Sequence, residues 1–155
     1  MATSRAGAAI DALLAILRAA PGLADAEVID GPPAVNYTSR RRLYLGWSPG
    51  AEQAADIEQS FNSAGARTRD EKFVIPGYAE VRAGDKDMAL RRADVFTLLA
   101  QVEDALRATD AAPEAPTLSG TVLWAHLTTG SLTQEQTENG ALAGLAFAVS
   151  CRARI

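Results

Sequence analysis

Apolar residues recur along this chain with two different periods, and that coexistence confines it to folds that combine helices with a sheet. Between residues 4 and 20, Ile10, Leu13, Leu14 and Leu17 fall at three- and four-residue spacing on one side of a helix. Ser4 stands where a cap is expected, and Pro21-Gly22 ends the segment because proline cannot continue the hydrogen-bond ladder. Residues 87–108 repeat the pattern more strongly. Asp87 caps them, Met88, Val95, Leu98, Leu99, Val102 and Leu106 form the apolar stripe, and Phe96 widens it. Arg91, Arg92, Asp94, Glu103, Asp104 and Arg107 are left for a solvated face.

The second period is two. A short extended segment at Glu27–Ile29 runs into the turn Asp30-Gly31-Pro32-Pro33. Arg42–Trp47 sets Leu43, Leu45 and Trp47 against Tyr44. Residues 54–61 alternate Ile57, Gln59 and Phe61 with Asp56, Glu58 and Ser60. They read as a strand that turns at Asn62–Gly65 to pair with a long strand starting near Ala66. In that long strand Arg69, Glu71, Phe73 and Ile75 share one face, and Asp70, Lys72 and Val74 the other. Its first half is polar on both faces and is expected to project beyond the core. Pro76-Gly77 calls for a bulge or an edge position, since proline cannot donate to a neighbour. Strands at Thr121–Thr129 and Ala141–Ile155 close the chain, joined by polar Gly130–Gly140, which reads as an exposed loop. Residues 1–155 therefore read as one α+β domain: a mostly antiparallel sheet of about five strands, two helices packed on one face, and a projecting β-hairpin.

Reactive residues are scarce. A single Cys151 excludes an intrachain disulfide and a multi-cysteine zinc site, and a single His126 excludes multi-histidine metal sites. His126 alternates beside Trp124 with no nucleophile or carboxylate placed against it, and Cys151 falls in an apolar row. Asp85 and Asp87 fit turn and cap chemistry better than a cation site, and no glycine-rich phosphate loop is present. No catalytic residue, metal ligand or cofactor site is expected. The net charge of −4 offers no general attraction to nucleic acid, and no apolar run approaches the roughly 20 residues that span a bilayer. No signal peptide is evident, so the chain reads as cytosolic. Arg40-Arg41-Arg42 is the one cationic cluster, and a salt-bridged interface or solvated edge explains it better than a nucleic-acid footprint. Alanine makes up about a fifth of the chain, and only Lys72 and Lys86 among the cations are lysines; GC-rich coding accounts for both.

In order along the chain, DGPP after the first helix, RRLYLG, ARTRDEKFVIP, RRADVFTLLAQVEDALRA and the ending LSGTVLWAHLTTGSLTQEQTENGALAGLAFAVSCRARI resemble the tail terminator, or minor tail, proteins of long-tailed double-stranded DNA bacteriophages, especially of actinobacterial hosts. The resemblance runs from about residue 8 onward and contains no active-site signature. It implies a non-enzymatic virion protein without cofactors, located at the tail–neck junction and in the host cytoplasm during assembly. Such a protein forms a ring, typically hexameric, that ends tail-tube growth. Its partners are further copies of itself, the tail tube protein and the head-side neck proteins. Genomic DNA only passes through the lumen, and no membrane is involved.

A head-to-tail ring needs two different complementary patches per subunit. The candidates are Arg40, Arg41 and Arg42; the ribbon Arg67, Arg69, Asp70, Glu71 and Lys72; the loop Ser48–Gln53; and Gln134, Glu135 and Glu138 within Gly130–Gly140. Three other readings are carried: a head-side neck or connector protein, a small-molecule-binding or hydrolytic α+β domain using His126, and a nucleic-acid binder using Arg40–Arg42.

Overall fold

Helix α1 runs over Ala6–Ala19 and turns Leu13, Leu14 and Leu17 inward, as the spacing predicts, with Ala9 buried beside them and Ile10 only half-buried. The computed structural model describes residues 3–34, 39–51 and 53–155, so Glu52 of the Ser48–Gln53 loop lies outside the described residues. Ser4 Oγ accepts the Ala6 N–H at 3.0 Å, but the cap position itself is Arg5. The Arg5 N–H donates to Glu71 Oε1 at 2.7 Å, which fixes where the helix starts against the sheet. Ala20, held extended by the proline that follows, ends the helix.

Strand β1 (Glu27–Asp30) lies parallel to β2 (Arg41–Leu45), and every other pairing is antiparallel. Strands β3 (Asp56–Phe61), β4 (Arg69–Arg82), β5 (Trp124–Thr137) and β6 (Gly140–Arg154) complete a six-stranded sheet ordered β1-β2-β4-β6-β5. Strand β3 shares one flank of β4 with β2, taking its first half while β2 takes the second. Helix α2 (Met88–Ala105) starts at Asp87, whose Oδ1 accepts the Leu90 N–H at 3.1 Å. The core lies between the two helices and one face of the sheet, where Leu43, Leu45, Phe73, Ile75, Leu145 and Val149 meet Leu13, Leu17, Val95 and Leu98. The α+β class and the helical face are as expected, with six strands in the sheet.

Several expectations change. Pro76 is neither at an edge nor in a bulge: β4 is central, and its register with β6 runs unbroken through Pro76↔Ala148 and Gly77↔Phe147. The Pro76 carbonyl accepts the Gly46 N–H at 2.8 Å, so its donor-less nitrogen also faces the β2–β3 flank, at the changeover between those strands. The polar first half of β4 belongs to the sheet, held by β3 on one flank and β6 on the other. Glu71 there is fully buried, and what extends outward is exposed β3 with the 62–68 turn. Gly130–Gly140 is not a loop, because β5 continues through Thr137 and pairs with β6 down to Thr137↔Gly140. Trp47 joins Tyr44's face rather than that of Leu43 and Leu45, since the strand ends at Leu45 and Gly46, at φ +74°, turns the chain. On α2 the buried stripe is Arg91, Val95, Leu98 and Val102, which leaves Phe96 half exposed on the outer surface and takes Arg91 off the solvated face.

Candidate functional site

The face of the sheet turned away from the helices is only partly covered. At one end Ile29, Tyr44 and Tyr78 form a second small core, closed by Trp47 and Ala146. Trp47 meets Tyr44 and Tyr78 edge-on at ring-centroid distances of 5.2 and 5.9 Å. At the other end two shallow hollows stay open. One, of about 390 Å³, is lined by Asp56, Glu58, Lys72, Val74, Trp124 and Ser150 among others. Its neighbour, of about 300 Å³, runs over Ser48, Gln53, Pro76, Gly130 and Ala148. Both are open depressions on a strand surface, and in the second Ala146, Ala148 and Pro76 leave the sheet thinly clothed.

His126 lies on this face, stacked on Trp124 with centroids 4.6 Å apart. Its cross-strand partner is Ser150, whose hydroxyl is 2.8 Å from that of Thr128. Cys151 points to the opposite, core side, where burial pushes its thiol up to about 12. Asp85 Oδ1 accepts the Asp87 N–H at 3.1 Å, so both aspartates serve the turn and cap that start α2. Among the described residues no cluster of three or more His, Cys, Asp or Glu could hold a metal ion, and no helix is long and apolar enough to cross a membrane.

The charged candidates separate. Of the three arginines, Arg40 is exposed, Arg41 is bonded to Asp25, and Arg42 is buried with its Nε donating to the Ser39 carbonyl at 3.0 Å. In the ribbon, Arg67 and Lys72 are exposed and Arg69 half-buried, while Glu71 is spent on the Arg5 N–H and the Gln59 amide. Asp70 accepts from Arg154 Nε at 2.9 Å and Arg152 Nη2 at 3.1 Å. The Arg154 guanidinium holds the Asp70 carboxyl below its usual value, desolvation opposes it, and Arg152 adds to the lowering. Gln134 accepts from Arg92 Nη1 at 2.7 Å and so ties β5 to α2, while Glu135 and Glu138 are exposed. The candidates therefore line several separate surfaces. Strand β5, 14 residues long and almost wholly exposed, is one edge of the sheet.

Charge-based reading passes over the exposed apolar residues. Phe61 is 69% exposed at the end of β3, and Leu90, Phe96 and Leu123 are about half exposed. A signal for Phe61 was present, because its alternation with Ile57 runs straight into the Asn62–Gly65 turn, beyond any stretch that a core could cover.

No family model matches the chain, and no curated protein matches it in sequence. Among solved structures, the chain is similar to one from the virion of a native gene transfer agent particle. The two share 18% identity and align over 99% of this chain and 100% of that one, with a TM-score of 0.56. The likeness is one of fold and takes in every element from α1 to β6.

Proposed function

We propose that this chain is a structural protein of a phage-like virion. Within that role it acts as a tail terminator, a ring that caps the tail tube, ends its growth and joins it to the head-side neck proteins. The observation that carries the virion role is the end-to-end fold likeness to a chain of a gene transfer agent virion. The finer role rests on the ordered strings from DGPP to the final strands and on the distribution of surface chemistry. The exposed features are spread over distinct surfaces, as a subunit with several simultaneous neighbours requires. The reading is non-enzymatic and gives His126 and Cys151 no catalytic step.

The test is the mass of the purified protein in solution together with its binding to tail tubes of the particle that encodes it. A closed ring, hexameric on this reading, that attaches to tube ends supports the role. A protein that co-purifies with filled heads and never with tubes indicates a head-side connector instead.

A further inference from the structure

The hairpin joining β3 to β4 ends in an apolar and cationic tip. Phe61 is 69% exposed there, and residues 61–69 carry Arg67 and Arg69 with no acidic residue. Elsewhere, an open apolar groove of about 480 Å³ lies where the C-terminal ends of α1 and α2 come together. Ile16, Ala20, Pro21, Ala105, Ala111 and Ala112 line much of it. Asp104 and Arg107 both line it, 3.8 Å apart, and the stretch around them is acidic on balance, since residues 101–112 hold Glu103, Asp104 and Asp110 against Arg107 alone. Two helix C-termini add partial negative charge at the same place, which favours an approaching cation.

The two features cannot meet within one chain. The hairpin is fastened to the N-terminal end of α1, through Glu71 to the Arg5 N–H and through Gln59 Nε2 to the Thr3 carbonyl at 2.8 Å. The groove is at the other end of that helix. A 14-residue helix separates them by about 20 Å at 1.5 Å per residue.

We propose that the hairpin tip of one subunit docks into the helix-end groove of a second copy of this chain, with Phe61 seated among the alanines and Arg67 beside Asp104. The contact joins two different patches, so it is head-to-tail and closes into a ring when the rotation per subunit allows. It rests on the ring-forming role proposed above and supplies the interface that role lacks.

The test compares five proteins by mass in solution across a concentration series: the wild type, Arg67→Glu, Asp104→Arg, the double charge variant and Phe61→Ser. Both charged positions are exposed, so each variant is expected to melt within a few degrees of the wild type, and this is checked alongside. Each single variant places like charges together and is expected to need more than about tenfold higher concentration to assemble, while the double variant regains wild-type assembly. Phe61→Ser is expected to assemble as poorly as the single charge variants. If the wild type forms a ring and every variant forms it equally well, the interface lies elsewhere: the proposal falls and the ring role stands. Single variants that fail without rescue in the double also overturn the pairing. A wild type that never assembles, alone or on tail tubes, overturns the ring role and this interface with it.

Discussion

Asp70 and Glu80 lie on the same strand and the same face of the sheet, and their surroundings act on them in opposite directions. Arginines 154 and 152 favour the charged form of Asp70. Burial disfavours the charged form of Glu80, Arg42 counters this in part, and Glu135 adds to it. The consequences for stability have opposite sign. Asp70's lowered value makes it stabilising above its ordinary 3.8, and that contribution disappears as pH falls through the lower folded value. Asp70→Asn should therefore lower the melting temperature at pH 7, with the gap to wild type closing in strong acid. Glu80's raised value means that folding loses stability as pH climbs from the ordinary 4.5 through the folded value. Glu80→Gln should raise the melting temperature at pH 7 relative to wild type, and the gain should vanish below about pH 4.5. Thermal melts of the two variants from pH 3 to pH 8 check both signs. At Cys151, burial and a thiol pushed up to about 12 predict no reaction with an alkylating reagent at pH 8 until the chain unfolds.

At the scale of elements, two glycines on different elements show what space costs. Gly77 in the middle of β4 has the Phe147 ring of β6 lying where a side chain would stand, and Phe147 is itself 3% exposed and cannot retreat. Gly77→Ala should destabilise the fold by about 1–3 kcal/mol through overpacking. Gly7, on the exposed side of α1, has nothing within 4 Å, so Gly7→Ala should stabilise by up to about 1 kcal/mol. Chemical denaturation of the two variants separates the cases. The same elements show which parts of the fold were legible. Helix α2 and its cap were readable because Asp87 and the spacing of Val95, Leu98 and Val102 are local signals. Strand β3 was readable from Ile57, Gln59 and Phe61 alternating ahead of a turn. The outer half of β5 was not, because Gln134, Glu135 and Gln136 carry no apolar alternation and owe their strand geometry to pairing with β6. Glu71 was misleading for a related reason. A carboxylate signals solvent unless its donors are known, and its two partners, the Arg5 N–H and the Gln59 amide, are 66 and 12 residues away. Leu118 was equally hidden: it is fully buried in a connection with φ +49°, and nothing in TLSG marks it as core.

At the scale of the whole molecule, the helices cover one face of the sheet and leave the other to two tyrosines, two tryptophans and open hollows. The candidate surfaces were only partly visible in the sequence. Charge pointed to Arg67 and to Glu135 and Glu138, which are exposed, but also to Arg41, Arg42 and Glu71, which are engaged within the chain. Apolar exposure depends on where a partner strand or helix stops, and so Phe96 became a surface feature only in three dimensions, whereas the turn after Phe61 already hinted at its exposure. The exposed features fall on separate surfaces of a fold that is shared end to end with a chain of a gene transfer agent virion, and the proposed ring role would give each surface its own neighbour. The most direct measurement of that account is imaging of the purified protein mixed with tail tubes of its own particle, with its mass in solution measured in parallel. A tail terminator would appear as a closed ring seated on one end of each tube. A monomer at every concentration that leaves the tube ends bare would contradict that reading.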